Sequence, residues 1–242
     1  MLHDEGSLGP ARFAVSDRSG GTSRPPYDAL NLGDHVGDDP SAVAANRSAL
    51  ADRLGLTGLA LMRQVHGRDV AVVGGPTDGL VPDADALVTR QPGLGLVVLV
   101  ADCVPVLLAA PGADGPVLAV AHAGRAGVRA GVVGATVDAM RALGADIGAG
   151  QAHVGPAVCG RCYEVPAGLQ GEVVADLPAA ESTTSAGTPG LDLPRAVLAQ
   201  LADAGVRELS HDEACTIETR SLYSHRRDGV TGRFAGVVWL PA

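Results

Sequence analysis

The sequence contains no lysine, because all 18 side chains counted as lysine plus arginine are arginine. A chain without lysine cannot form a Schiff base, cannot anchor pyridoxal phosphate through one, and lacks the obligatory lysine of a Walker-type phosphate loop. Aromatic residues make up only 2% of the chain, and the formal net charge is −9. A nucleic-acid groove needs basic side chains and stacking rings, so we expect no nucleic-acid partner.

Long apolar runs and export signals are also missing. No apolar run approaches the roughly 20 residues of a membrane span, and the first residues, MLHDEGSLGP, are acidic and lack an apolar segment. We therefore expect no membrane partner and a cytoplasmic location. The four cysteines are few for 242 residues, so reduced thiols or metal ligands are expected rather than a disulfide framework.

The hydrophobic content of 46% is enough for a full core, and we expect one domain over residues 1–242. The pattern predicts strands over residues 11–17, 59–65, 69–73, 83–89, 95–101, 116–121, 153–158 and 235–240, and helices over residues 42–54, 131–143, 167–176 and 193–204. We expect the first strand at a sheet edge and Ser41 as the cap of the first helix. Residues 178–190, PAAESTTSAGTPG, predict a mobile loop. Without a regular βαβ repeat, the mixture favours a mixed-sheet α/β sandwich over a doubly wound sheet.

Three apolar segments each end near a residue that can bind a transition metal, namely His66, Cys103 and His122. We expect three buried strands to bring these side chains to one place. Two imidazoles and one thiolate leave the fourth tetrahedral position of zinc free, which is typical of a catalytic site, and such zinc lowers the pKa of bound water to about 7. Alternatively, Cys103 is a small buried residue and both histidines are hydrogen-bonded at strand ends.

Asp102 lies directly before Cys103. If both residues belong to one strand, their side chains point to opposite faces, so only one enters a given pocket. Asp102 is then expected to support the loop or to orient a ligating histidine, and a turn-stabilising aspartate at a strand end is an equal alternative.

The pair Cys159 and Cys162 has no clear partner in the sequence. As half of a structural zinc site it needs a second close pair, and Cys103 and Cys215 are each isolated. A base-deaminase signature also needs an upstream His-x-Glu, which the sequence does not supply, and no thioredoxin-like pattern surrounds the pair. The sequence therefore does not indicate the role of Cys159, Cys162 or Cys215, and a redox pair is a weak alternative.

Several motifs, in the same order along residues 13–239, resemble the YfiH family, also called the laccase-domain or multicopper polyphenol oxidase family. They are NLGDHVGDDP, NR at 46–47, QVHG, DADALVT, VADCVPVLLA, AHAG, VGPAVCGRCYEV and YSHRRDGVTGR. The resemblance implies an α/β (α+β) fold, a mixed β-sandwich flanked by helices. It also implies a metal site whose ligands and catalytic residues are His66, Cys103 and His122, with Asn31 and Gln64 in the substrate pocket. For Asn31, a turn-stabilising residue of its loop is an equal alternative.

Members of this family are described as purine nucleoside enzymes that use phosphate to cleave adenosine, inosine, guanosine and methylthioadenosine, with adenosine deamination as a second activity. The resemblance thus implies Zn²⁺ as cofactor, with copper as a possible occupant, and a nucleoside and phosphate as partners. Members have also been called copper-dependent polyphenol oxidases, and some are thought to edit peptidoglycan precursors, as a zinc amidase would. A non-catalytic metal- or partner-binding domain is a further alternative. True laccase chemistry needs many histidines, including His-x-His pairs, whereas this chain has seven and none two residues apart.

Phosphate would have to be held by arginine, since lysine is absent. Arg47, Arg125 and the pair Arg226 and Arg227 are the candidates, with solvated surface arginine as the alternative for each. Many family members read His-Ala-Gly-Trp-Arg-Gly where this chain reads HAGRAG. Arg125 therefore occupies the usual tryptophan position, and either it replaces the family arginine from one residue away or that contact is lost.

Overall fold

The computed structural model describes residues 1–77 and 83–241. Within them the strands are β1 (Leu2–Leu8), β2 (Ala11–Ser16), β3 (Gly58–Ala60), β4 (Val70–Val72), β5 (Ala86–Thr89), β6 (Leu94–Val100), β7 (Val104–Ala110), β8 (Val117–Ala123), β9 (Gln151–Val154), β10 (Glu181–Thr183), β11 (Pro189–Leu191), β12 (Glu208–His211) and β13 (Phe234–Trp239). The α-helices are α1 (Pro40–Leu54), α2 (Arg125–Ala130), α3 (Val132–Ala142), α4 (Ala167–Asp176), α5 (Leu193–Asp203) and α6 (His225–Asp228). None of the helices in the described residues combines the length and apolarity needed to cross a bilayer.

Two mixed sheets form the centre of the molecule. One has five strands in the order β1-β2-β13-β6-β3, and the other has six in the order β12-β9-β7-β8-β5-β4. Most neighbours are antiparallel, but β3 runs parallel to β6, β4 to β5 and β12 to β9. The expected mixed α/β sandwich is therefore confirmed.

The layer between the sheets is apolar because alternate residues of the central strands point into it. Leu96 and Val98 of β6 and Phe234 of β13 pack in one buried cluster with Leu107 of β7 and Val120 of β8. Each of these side chains is essentially inaccessible to solvent. This layer fixes the two sheets face to face and holds the ends of β6, β7 and β8 close to one another.

Helices cover the outer faces of both sheets. Val137 and Met140 of α3 lie in the cluster of Leu108 on the outer face of the six-stranded sheet. On the other side, Leu50 of α1 lies in the cluster of Val237 from β13. Because both faces of β6, β7 and β8 are covered, these strands read as continuous apolar runs rather than as an alternation.

Several element predictions need correction. β1, β7 and β12 were not expected, and β1 takes the sheet edge, so β2 lies inside the sheet. The cap of α1 is Asp39, whose side chain accepts a hydrogen bond from the N–H of Ser41, so Ser41 is not the cap. The strand expected over residues 59–65 ends at Ala60. Gly131, at φ 88°, separates α2 from α3, because a left-handed residue ends a helix.

Residues 178–190, for which the sequence predicts a loop, contain regular structure. A 3₁₀ turn spans Pro178–Ala180, and the strands β10 and β11 pair as an antiparallel hairpin. The hairpin is anchored by Gln170, whose side-chain amide donates to the carbonyls of Ser182 and Gly190. The mobility of this segment stays a prediction.

Candidate metal centre

The structure brings His66, Cys103 and His122 together at one end of the sandwich. His122 lies on β8, Cys103 lies in the tight bend between β6 and β7, and His66 lies in the loop after β3. One ligand atom of each lies within 4.8 Å of the others, and His66 Nε2 is 3.8 Å from Cys103 Sγ. The two imidazole rings meet edge to face at 4.7 Å between centroids. A tetrahedral zinc ion needs ligand atoms about 3.5 Å apart, so this set fits one ion after small side-chain adjustments.

Asp85, which lies directly before β5, organises these ligands. Its side chain has no exposed surface, and Oδ1 lies 2.8 Å from Nδ1 of His122. A carboxylate can only accept a hydrogen bond, so Nδ1 of His122 carries the proton and Nε2 is left for the metal. This is the carboxylate–histidine–metal arrangement that fixes the tautomer and the ring orientation of a ligating histidine.

The same carboxylate also holds the loop that carries His66. Its oxygens accept hydrogen bonds from the backbone N–H groups of Val65, His66 and Gly67, at 3.2, 3.0 and 2.6 Å. His66 has φ 61°, a left-handed conformation that a residue with a side chain rarely adopts. Three hydrogen bonds to one buried charge compensate that strain, so Asp85 positions two of the three candidate ligands.

Gly124, directly after β8, leaves the space that the ligands occupy. A Cβ at this position would lie 2.7 Å from Cδ2 of His66 and 3.2 Å from Sγ of Cys103. Any side chain here would displace both ligands. The glycine of the HAG motif is thus required by the site rather than by the backbone, since its φ of −74° is open to any residue.

Burial and mutual charge act in opposite directions on the ligands. Burial raises the pKa of Cys103, but the charge and hydrogen bond of His122, with a smaller contribution from His66, bring it down to about 6. Burial lowers the pKa of His122, but the charge of Cys103 and the hydrogen bond to Asp85 raise it to about 9. The charge of His122 therefore favours the thiolate form of Cys103, the form in which sulfur binds a metal.

Asp102 does not orient a ligand, which corrects one of its two predicted roles. It lies in the bend at φ 94°, outside β6 and β7. Its carboxylate accepts hydrogen bonds from the hydroxyl of Thr216 at 2.6 Å and from the N–H of Arg226 at 2.7 Å. Asp102 thus supports a loop, its alternative role, and ties the bend of Cys103 to the start of α6.

A pocket of about 150 Å³ opens beside Cys103. Its lining combines cationic, aromatic and apolar side chains with one carboxylate, and includes Asp102, Cys103, Arg125, Tyr163, Leu193, His225 and Arg226. The guanidinium of Arg226 lies over the ring of Tyr163, 5.0 Å from its centroid, and donates to the carbonyl of Glu164. Arg125 and Arg226 are therefore the two predicted arginines that reach this pocket.

Arg47 and Arg227 have structural partners instead. Arg47 donates to the carbonyl of Leu32 and lies 3.3 Å from a carboxylate oxygen of Asp34. Arg227 pairs with Asp228 and donates to the carbonyl of Leu222, among other carbonyls of its own loop. Neither lines the pocket beside Cys103. The predicted phosphate contacts at these two positions have no geometric support.

The predicted substrate contacts at Asn31 and Gln64 also lack geometric support. Asn31 is buried, its amide donates to Gly33 and Asp38, and its carbonyl oxygen accepts from the N–H groups of Gly33 and Arg233. Gln64 both donates to and accepts from the backbone of Leu99 on β6. Its side-chain amide thus extends the sheet where β3 has ended.

The sequence did not indicate four residues near this site, Asp85, Tyr163, His225 and Arg233. Arg233 is half-buried. Burial lowers its pKa, while the negative charges of Cys103 and Asp102 act in the opposite direction, so its guanidinium lies near enough to the candidate ligands to interact with them. One signal was available for Asp85, because an acidic residue that immediately precedes a fully buried strand needs polar partners. The other three lie in loops or short helices that the hydrophobic pattern does not orient.

Comparison with known proteins agrees with this architecture. Residues 12–241 match the family described as multi-copper polyphenol oxidoreductase laccase. A Streptomyces griseus protein named purine nucleoside phosphorylase ORF3 is 54% identical over 236 residues, which are 96% of this chain and 95% of that protein.

Two solved structures are also similar to this chain. The Neisseria meningitidis protein NMB0706 has a TM-score of 0.86 and 32% identity, and the match covers 100% of this chain and 99% of that one. YlmD from Geobacillus stearothermophilus also has a TM-score of 0.86, with 33% identity over 96% of this chain and 93% of that one. The resemblance read from the motifs is confirmed, and the chain belongs to the multi-copper polyphenol oxidoreductase laccase family, the family of the YfiH proteins.

Proposed function

We propose that this chain is a zinc-dependent enzyme that cleaves purine nucleosides with phosphate, and that adenosine deamination is its secondary activity. One observation carries the proposal. Cys103, a member of an open His/Cys/His set, lines the same pocket as two arginines and an aromatic ring. The name of the Streptomyces griseus relative, a purine nucleoside phosphorylase, supports the same reaction class.

The pocket has a cationic part suited to phosphate. Arg125 and Arg226 both line it, and arginine binds phosphate oxygens through two parallel N–H groups. Arg125 begins α2 directly after Gly124, so the helix start that follows the metal ligand on β8 also delivers this guanidinium. In this proposal Arg125 takes over the role of the arginine that many relatives carry one residue later.

The remaining walls suit a purine ring. Val158, Tyr163 and Leu193 present apolar and aromatic surface to the pocket. Apolar and aromatic walls with a few polar groups are the general form of a small-molecule site.

The reaction makes one bond and breaks another. A phosphate oxygen attacks C1′ of the ribose, the C1′–N9 bond breaks, and its electron pair leaves with the purine, which takes up a proton to give the free base and ribose 1-phosphate. His225 is a candidate for moving that proton. Its Nδ1 donates to the carbonyl of Gly229 at 2.7 Å, since a carbonyl can only accept, so the proton for the purine would come from Nε2 of the imidazolium form.

The metal set would serve both activities. When bound by His66, Cys103 and His122, zinc supplies Lewis-acid polarisation at an open coordination position. Asp85 keeps His122 in its ligating tautomer, and Gly124 keeps the space beside the ligands clear. Adenosine, inosine, guanosine and methylthioadenosine are the proposed substrates for phosphorolysis. For deamination, water replaces the C6 amino group of adenosine and ammonia leaves.

A copper-dependent polyphenol oxidase is the second candidate, and the description of the family favours it. Oxygen reduction by a multicopper enzyme needs several copper sites. The chain has seven histidines, and His153 is stacked on Phe13 while His3 is paired with Asp212. We therefore place copper at the His/Cys/His set as an alternative occupant rather than as the basis of the reaction.

The test is a nucleoside panel assayed with and without inorganic phosphate. The zinc-loaded protein is expected to release free base only when phosphate is present, and to form a smaller amount of inosine from adenosine without it. Cys103→Ala should abolish both activities while the circular dichroism spectrum stays that of the wild type. Oxidation of a phenol in air by the copper-loaded protein, without nucleoside turnover, would favour the second candidate.

A matched pair of arginine variants tests the phosphate site. Arg125→Ala should raise the KM for phosphate by about tenfold to a hundredfold, the loss of a charged hydrogen-bonded pair. Arg129→Ala lies on the same helix but removes an exposed ion pair with Asp176, so its KM for phosphate should not change. Equal effects of the two substitutions would contradict a role for Arg125 in binding phosphate.

A further inference from the structure

A second group of potential metal ligands lies apart from the His/Cys/His set. The sulfur atoms of Cys159, Cys162 and Cys215 and a carboxylate oxygen of Glu218 all lie within 4.8 Å of one another. Cys215 is buried, Cys159 and Cys162 are partly buried, and Glu218 is at the surface. Cys215 is isolated in the sequence, but the fold brings it next to Cys159 and Cys162.

Two tight turns deliver these four side chains. In the first, the N–H groups of Cys162 and Tyr163 both donate to the carbonyl of Cys159. In the second, the N–H groups of Glu218 and Thr219 both donate to the carbonyl of Cys215. The spacing is thus Cys-x-x-Cys on one turn and Cys-x-x-Glu on the other, which is the two-by-two arrangement of structural zinc sites with one carboxylate in place of a thiolate.

Backbone pairing holds the two turns in register. Ala157 and Cys215 form a parallel bridge, and the N–H of Thr216 donates to the carbonyl of Ala157. The N–H of Cys159 also points at Sγ of Cys215, 3.4 Å away. This contact and the bridge fix the sulfur of Cys215 beside the turn that carries Cys159 and Cys162.

We propose that Cys159, Cys162, Cys215 and Glu218 hold a second zinc ion with a structural role. Three thiolates and one carboxylate complete the tetrahedral shell of zinc and leave no open position. Soft thiolate ligands select zinc over calcium or magnesium, and an iron–sulfur cluster would require a fourth thiolate. Glu218 would exchange its exposed contact with Arg161, now 3.4 Å, for the metal.

The second ion would brace the wall of the nucleoside pocket. Tyr163 directly follows Cys162, and its ring carries the guanidinium of Arg226. The turn of Cys215 supplies carbonyls that accept from the Arg227 guanidinium, which ties it to α6. The site therefore joins the two segments that present Tyr163, His225 and Arg226 to the pocket.

Metal content of the purified full-length chain tests the proposal directly. The wild type should hold about two zinc ions per chain, and Cys103→Ser and Cys162→Ser should each hold about one, since each removes a ligand of a different site. The double variant should hold none. About one ion in the wild type, lost in Cys103→Ser and unchanged in Cys162→Ser, would overturn the second site and leave the first intact. About one ion in the wild type, retained in Cys103→Ser and lost in Cys162→Ser, would instead confirm the second site and contradict zinc binding by the His/Cys/His set of the proposed function.

Cobalt substitution gives a second readout that does not depend on activity. With three thiolates in the second site and one in the first, the sulfur-to-cobalt absorption band should stay strong in Cys103→Ser and weaken severely in Cys162→Ser. Glu218→Gln, an exposed substitution that does not threaten folding, should lower zinc affinity without removing the band. Equal bands in the two cysteine variants would contradict the proposal.

Thiol labelling separates a metal site from a disulfide. In the unreduced wild-type protein, alkylation of Cys159, Cys162 and Cys215 should be slow and should become complete after a zinc chelator is added. If labelling requires a reductant and is unchanged by the chelator, two of these cysteines form a disulfide, and the zinc assignment is overturned.

Discussion

Asp85→Asn is the substitution that most sharply separates a metal centre from a cluster of hydrogen-bonded side chains. Oδ1 of Asp85 accepts from Nδ1 of His122 and from the N–H of His66, and Oδ2 accepts from the N–H groups of Val65 and Gly67. An asparagine has one accepting oxygen, so in either orientation its NH₂ group opposes two N–H donors. One escape is a change of tautomer at His122, which would move the proton to Nε2 and block metal binding.

The expected magnitudes follow from these contacts. Loss of the residue that orients a ligating histidine lowers metal affinity by about 10- to 100-fold, equivalent to about 1.4 to 2.8 kcal/mol. The displaced loop hydrogen bonds cost a further amount of about 2 kcal/mol in unfolding free energy, because loop groups near the surface regain part of it from water. For a domain of this size, that corresponds to a fall in Tm of about 4 to 8 °C.

Asp102→Asn is the matched control. Asp102 lies beside Cys103 in the sequence, but its carboxylate contacts Thr216 and Arg226 rather than a ligand. The hydroxyl of Thr216 can turn to accept from an asparagine amide, and asparagine tolerates the left-handed backbone at this position. Zinc affinity should therefore stay at the wild-type value.

Competition with a chromophoric chelator, on protein shown to be folded by circular dichroism, measures both affinities. A loss in Asp85→Asn with no change in Asp102→Asn is the expected result. Wild-type zinc affinity in folded Asp85→Asn would refute the role of Asp85, and a loss confined to Asp102→Asn would reverse the assignment.

Three further predictions concern packing and pH. Gly124→Ala should weaken zinc binding by at least about tenfold in titration calorimetry, because the added methyl group meets the ligands. The control Gly134→Ala, whose Cβ meets nothing within 4 Å, should bind zinc normally and gain about 0.5 kcal/mol of helix stability in thermal melts. The hydrogen bond and charge of Asp212 raise the pKa of His3 above its usual value of about 6.5, so the pair stabilises the fold fully below that pH and loses this effect as the pH rises through the raised pKa. In urea unfolding, His3→Gln should be destabilised by about 1 kcal/mol at pH 5.5 and by less at pH 8.5, and a pH-independent difference would contradict the pairing. Leu107→Ala, in the layer between the sheets, should cost about 2 to 5 kcal/mol in urea unfolding, and a loss under 1 kcal/mol would contradict that packing.

The central strands could be predicted from the sequence because burial on both faces leaves a plain signature. β6 and β8 are continuous apolar runs, and the ligand candidates His122 and Cys103 lie at or just past such runs. The edge strand β1 could not be predicted, because its residues LHDEGSL are mostly polar and only pairing with β2 makes them a strand. The same holds for β12, which depends on parallel pairing with β9.

The site was only partly predictable for a similar reason. The order of the motifs could indicate His66, Cys103 and His122. The role of Asp85 could not be predicted, because it depends on the loop of His66 folding back onto a residue that is distant from it in the sequence. Asp102 is the opposite case. It is adjacent to Cys103 in the sequence, but the bend turns its side chain away from the ligands and towards Thr216. Cys215 reaches Cys159 through an isolated bridge between residues far apart in the chain, which no local pattern encodes.

We have proposed that a zinc ion on His66, Cys103 and His122 serves phosphate-dependent cleavage of purine nucleosides. The most direct measurement is the release of hypoxanthine and ribose 1-phosphate from inosine by protein stripped of metal and then reloaded with zinc. We expect release that depends on both zinc and phosphate, and none from Cys103→Ala under the same conditions. Full release by metal-free protein, or by folded Cys103→Ala, would contradict it.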